Sequence, residues 1–132
     1  LTDCLKSYEN NMTKMEVRKS ASDLRTIWSI GNEYLQAAAP WTLFKEDPIA
    51  SATIVRFALN LIPFYASLSE PFIPDAAETM LKAMNAEKVW PTDVKIALNT
   101  LTSGHAFTVP DVMFAKISDE ARDEMEANFS GI

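Results

Sequence analysis

Apolar residues recur in the first third of the chain at alternating spacings of four and three: Val17, Ala21, Leu24, Trp28, Gly31 and Leu35. Such a stripe is the seam of a helix packed lengthwise on its neighbours. Thr13 and Glu16 form a T-x-x-E capping box at its start, with Met12 and Val17 placed as the hydrophobic staple. Pro40 bounds the other end, because the residue before a proline is pushed out of the helical region. The pattern predicts a helix over 14–38. Gly31 costs up to about 1 kcal/mol there relative to alanine, so its place in the seam predicts a close approach by another helix.

A second pattern begins at Asp47-Pro48, an N-cap followed by proline at the first helical position. The stretch "IASATIVRFALNLIPFYASL" is apolar nearly all round, with Arg56 its only charge. That predicts the most buried helix of a bundle, over 48–69, with Phe57 and Leu59 in the core and a kink near Pro63. After the break at "SEPFIP", Pro74 opens a shorter helix, and "TDVKIALNTL" predicts another. The segment "SGHAFTVPDVMF" reads as an extended strap, and Ser118 caps a last, very acidic helix. No strand, repeat or low-complexity segment stands out. The predicted fold is all-α: an antiparallel helical bundle over 1–102, then an extended C-terminal strap and a short acidic helix over 103–132.

Trp41 does not fit this pattern. It falls in the short connection between the first two helices, where polar turn residues are the usual filling. A large aromatic there is either tucked back into the core or held out for a partner.

Composition narrows the options. At 132 residues and 48% hydrophobic, the chain suits one domain with a sizeable core. The single Cys4 cannot form an internal disulfide, which fits a reducing, cytoplasmic setting. No apolar run is expected to reach the roughly 20 residues that span a bilayer, so no membrane role is anticipated. The N-terminus shows neither an initiator methionine nor a signal-peptide pattern and reads as a piece of a longer polypeptide. A net charge of −6 argues against a dedicated nucleic-acid domain. The charge is uneven, however: residues 1–50 hold six Lys and Arg against seven Asp and Glu, whereas 91–132 hold three against seven. A basic strip on the first half therefore stays open.

Catalytic chemistry has little to stand on. One Cys and one His a hundred residues apart make no metal cluster, and neither a nucleophile elbow nor a glycine-rich phosphate cradle is present. His105 is expected in a loop, solvated or structurally bonded. The acidic run 119–126 reads as a solvated helix face. Trp28 is assigned to core packing, Trp90 to packing beneath the helix that follows it, and the six methionines to core filling. No catalytic, metal-binding or cofactor-binding residue is expected in these residues.

At "IGNEYLQAAAPWTLFKEDP" the chain resembles the anticodon-binding domain of methionyl-tRNA synthetase, a class I aminoacyl-tRNA synthetase. The matching pieces are Asn32 and Tyr34 as N-x-Y, Ala39-Pro40-Trp41 as A-P-W, and then Lys45. Leu68, Pro71 and Pro74 follow as L-x-x-P-x-x-P. Further on come Leu101, Gly104 and His105, then Met113-Phe114 and Lys116-Ile117. Together they cover roughly residues 15–117 in family-like order.

The resemblance implies that Trp41 is held out of the bundle to contact the bases of a CAU anticodon, principally around its first position. Lys45 would be a nearby phosphate contact, and Asn32 with Tyr34 would hold the corner beside Pro40. It also implies that an earlier helix supplying further anticodon readers precedes this segment, and that the strap returns toward the catalytic domain. ATP and methionine would be used in that domain, which is absent here, so this segment alone would not charge tRNA. The alternatives are the bundle of another class I synthetase, such as the cysteine or isoleucine enzyme, and a helical protein-interaction module without RNA binding.

Overall fold

A computed structural model of the chain describes residues 1–131. Seven helical segments follow one another, and there is no strand among the described residues. They are α1 (Thr2–Thr13), α2 (Val17–Ala38), α3 (Pro40–Leu43), α4 (Pro48–Ser69), α5 (Pro74–Ala83), α6 (Val94–Ala97) and α7 (Asp119–Phe129). The all-α bundle read from the sequence is what the chain forms.

The first departure is α1, in residues to which the sequence pattern assigned no element. It pairs with α2 through a three-residue turn as a helical hairpin. Thr13 is therefore not an N-cap: its hydroxyl donates to the Glu9 carbonyl inside α1. Glu16 occupies the N-cap position of α2 without a side-chain capping bond, and its carboxylate pairs with Lys19. What closes the turn is backbone. Glu16 N–H donates to Asn11 O at 2.9 Å and Met15 N–H to Met12 O at 3.0 Å, with Met15 at φ 60°. This is the Schellman closure, built around a left-handed methionine where glycine is usual.

The inward face of α2 is also rotated from the predicted seam. Ser20, Leu24, Ile27 and Gly31 are buried, Trp28 and Leu35 lie at its flank, and Val17 is exposed. α1 covers the first part of this face with Leu5 and Tyr8, and α4 covers the later part with Leu61, Phe64 and Leu68. Gly31 makes the close approach expected of it: a Cβ there would fall on the hydroxyl oxygen of Tyr65 and 3.1 Å from Leu61 Cδ1.

α4 runs unbroken through Pro63 and contributes more buried residues than any other helix. All-round burial does not hold, however. Apart from Ser51, its buried residues start at Asn60, while Ile49 and Val55 on its first half are exposed. Phe57 and Leu59 are only half-buried, so the core residues of α4 are Leu61, Phe64 and Leu68 instead. α4 is also long and apolar enough to cross a membrane by length and composition, contrary to the expectation above. Its packing against α2, α3 and α5 accounts for the buried half.

Asn60 is buried in α4 and fastens the chain beyond α6, accepting from Leu101 N–H at 2.8 Å. Asp93 caps α6 through Lys95 and Ile96 N–H. Ser118, as anticipated, caps α7 through Ala121 N–H. Residues 103–117 contain neither helix nor strand. This strap is tied to the end of α5 by His105, whose ring N–H donates to Met84 O at 2.6 Å, and by Thr108 N–H to Ala83 O at 2.7 Å. Beyond those bonds Val109, Val112, Phe114 and Ile117 are exposed, and α7 buries no residue.

Candidate nucleic-acid interface

Chain geometry at the end of α2 decides where Trp41 goes. Ala39 closes α2 in the left-handed region, at φ 41° and ψ 60°. For an alanine this conformation is uncommon, and a following proline makes it more so. The chain turns sharply as a result, and Pro40 starts α3, a single turn whose second residue is Trp41. Pro40 is buried, Ala39 O accepts from Thr42 and Leu43 N–H, and Pro40 O accepts from Phe44 N–H. A second donor reaches Pro40 O from outside the turn, the Ser51 hydroxyl of α4 at 2.8 Å. Asp47 then ends the connection by accepting from Ala50 N–H at 3.0 Å.

On this fixed turn Trp41 stands 55% exposed. Its indole N–H has no hydrogen-bond partner among the described residues. Beside it runs an open groove of about 440 Å³ between α2 and α4, lined by Trp28, Asn32, Leu35, Val55, Leu59 and Ile62, among others. The lining is almost wholly apolar, and Asn32 supplies an exposed amide at its rim. Tyr65 lies in the floor, and its hydroxyl oxygen is buried without a hydrogen-bond partner. Burial pushes the Tyr65 hydroxyl above its ordinary pKa, a shift that the nearby Gly31 backbone opposes.

Of the residues singled out from sequence, Asn32, Pro40 and Trp41 thus meet on one groove. Lys45 does not line it; it is exposed in the turn between α3 and α4. Tyr34 packs edge-on to Phe57 of α4, with ring centroids 4.9 Å apart, which ties the last turns of α2 to α4. Sequence reading missed Ser51 and the left-handed Ala39. Ser51 is one of three serines in α4 and carried no signal of its own, and no residue type announced the left-handed Ala39.

The other two tryptophans are engaged. Trp28 donates its indole N–H to Ser69 Oγ at 3.1 Å. Trp90 stacks on Tyr8 at 5.8 Å and donates to Glu9 Oε1 at 2.7 Å, so it packs on α1 rather than beneath the helix that follows it. Among the described residues no group of three or more His, Cys, Asp or Glu is placed to hold a metal.

An exposed aromatic on a rigid turn beside an apolar wall is suited to taking up unstacked bases. The whole chain, residues 1–132, matches the family model of the anticodon-binding domain of methionyl-tRNA ligase. The chain belongs to this family. It is 59% identical over 128 residues to the methionine–tRNA ligase of Jannaschia sp. (strain CCS1), covering 97% of this chain and 22% of that protein. The methionine–tRNA ligases of Ruegeria pomeroyi and Paracoccus denitrificans are each 59% identical over 133 residues, covering 100% of this chain and 23% of theirs. The chain therefore spans less than a quarter of the length of these relatives. Five of the acidic residues sit on α7.

Proposed function

We propose that this domain selects methionine tRNA by its CAU anticodon, with Trp41 as the platform on which a splayed base stacks. The observation that carries the reading is the presentation of Trp41, exposed and without an indole partner on a turn whose backbone is fixed. Asn32 offers an amide to a base edge at the rim of the same groove, and Lys45 supplies a positive charge to phosphate from the adjoining turn. The rest of the polypeptide would activate methionine with ATP and transfer it to the tRNA in the cytoplasm. The exposed apolar side chains of the strap suit a return toward that catalytic part.

The test is binding of a CAU anticodon stem-loop against a stem-loop with another triplet, by the parent and by Trp41→Ala. Stacking on an aromatic is worth about 1–3 kcal/mol per base, so Trp41→Ala is expected to weaken CAU binding about fivefold to more than a hundredfold. Equal binding of both triplets by the parent would remove the reading. An unfolded Trp41→Ala variant would show instead that the indole is a core residue.

A further inference from the structure

Hydroxyl groups on these helices mostly turn inward on their own backbone. Thr13, Ser20, Thr26, Thr53 and Thr79 each donate to the carbonyl four residues back in the same or adjoining turn, the ordinary behaviour of a helical serine or threonine. Ser51 has that option too, in the carbonyl of Asp47, yet its hydroxyl crosses to Pro40 O at 2.8 Å. It is 3% exposed, so water does not compete for the bond. Pro40 O already accepts from Phe44 N–H and needs no second donor to be satisfied. The bond therefore does something other than rescue an orphaned carbonyl.

What it fixes is the plane of the Pro40–Trp41 peptide, which sets the direction in which the Trp41 side chain leaves the turn. Among the described residues no hydrogen bond to its indole sets the direction of Trp41, and α3 is a single turn. Ala39 on the other side sits in a left-handed conformation that a relaxed chain would leave. We infer that Ser51 is a positioning residue for anticodon recognition: its hydroxyl, acting through Pro40 O, holds the indole of Trp41 in the orientation that accepts a base. This rests on the reading of Trp41 given above.

The experiment is a double-mutant cycle in the full-length ligase, following aminoacylation as a function of tRNA concentration for the parent, Ser51→Ala, Trp41→Ala and the double variant. A hydrogen bond of this kind contributes about 0.5–1.5 kcal/mol, so Ser51→Ala is expected to raise KM for tRNA roughly twofold to tenfold with kcat held. In the Trp41→Ala background the same change is expected to have no effect on KM. Ser51→Cys, which keeps a weak donor of similar size, is expected to recover part of the loss. A normal KM in a folded Ser51→Ala variant, or effects of Ser51→Ala and Trp41→Ala that multiply independently, would overturn the positioning role while leaving Trp41 in place. If Trp41→Ala alone leaves KM unchanged, the stacking reading fails and the role of Ser51 falls with it. Should Ser51→Ala unfold the domain, Ser51→Gly, which also removes the hydroxyl, takes its place in the cycle, and a parental KM in that variant with Trp41 still essential would count against positioning.

Discussion

Gly31→Ala is the substitution on which the packing account is most exposed. By helix propensity alone the change is favourable, since alanine gains about 1 kcal/mol over glycine in a helix interior. The structure predicts the opposite sign. The new methyl would fall on the Tyr65 hydroxyl oxygen and lie 2.8 Å from Tyr65 Cζ, so the whole ring must move rather than one flexible end. Leu61 Cδ1, at 3.1 Å, closes the other side. Overpacking of this kind costs about 1–3 kcal/mol. Displacing Tyr65 also breaks its tilted pairing with Phe64, centroids 5.9 Å apart, and such pairs contribute about 0.5–1.5 kcal/mol. After the propensity gain is set against these losses, a net destabilisation of about 1–3 kcal/mol is expected. Urea unfolding followed by circular dichroism measures it. In a Tyr65→Leu background, which removes the obstructing ring, the penalty should shrink and the propensity gain should re-emerge. A Gly31→Ala domain that is more stable than the parent by the propensity amount would refute the close approach of α2 and α4.

Met15→Gly should stabilise the domain by about 0.5–1 kcal/mol, because the left-handed residue of the α1–α2 turn loses its Cβ penalty; an unchanged urea midpoint would contradict the turn geometry. Leu68→Ala, at a fully buried position in the main core, should cost about 2–5 kcal/mol, and Leu59→Ala distinctly less; equal costs would show the core misplaced. Burial, with a smaller contribution from Glu70, pushes the Tyr8 hydroxyl up to about 12, and its proton is held by donation to Leu68 O at 2.8 Å. A pKa raised on folding gives stability that is whole below the unfolded value and lost as pH climbs to the folded one. Unfolding free energy should thus hold up to about pH 10 and then fall by up to about 1.4 kcal/mol per pH unit toward pH 12 on account of Tyr8. Near-ultraviolet tyrosinate absorbance, followed in parallel, would contradict this if every tyrosine ionised near 10.

Elements whose signals are local were legible in the sequence. Proline at the first position placed α4 and α5, Ser118 announced the start of α7, and Gly31 marked the helix contact. The misreadings came where two local codes competed. "MTKMEV" satisfies the capping-box pattern, yet residues 2–13 gain more by burying Leu5 and Tyr8 against α2, and the turn is then closed by backbone alone. The apolar run of α4 shows no period, so it could not tell which half has neighbours. The corner around Trp41 was legible as a corner because of its prolines, and its proposed RNA role rests on resemblance alone. Ser51 lies ten residues from Trp41, and its choice of acceptor is a tertiary fact that no spacing records.

Of the three tryptophans, Trp28 is half-buried, whereas Trp90 and Trp41 are exposed, at 38% and 55%. All are large enough to bury, and a buried indole usually has an acceptor for its N–H. Ser69 Oγ meets Trp28 and a carboxylate oxygen of Glu9 meets Trp90, and both rings then pack on apolar neighbours. For Trp41 the near wall of the groove is formed by Leu35, Val55, Leu59 and Ile62, which offer apolar contact but no side-chain acceptor. Folding the ring down would take its N–H out of water against this apolar wall, where the Tyr65 hydroxyl in the floor and the Asn32 amide at the rim are the side-chain oxygens nearby. Standing out, the ring keeps its N–H in water and leaves both the indole face and the apolar wall uncovered. A base arriving from solvent brings a flat apolar face for the ring and polar edges that can use the N–H and Asn32. On the proposed reading, an indole left in water beside an apolar wall is the surface on which that base stacks.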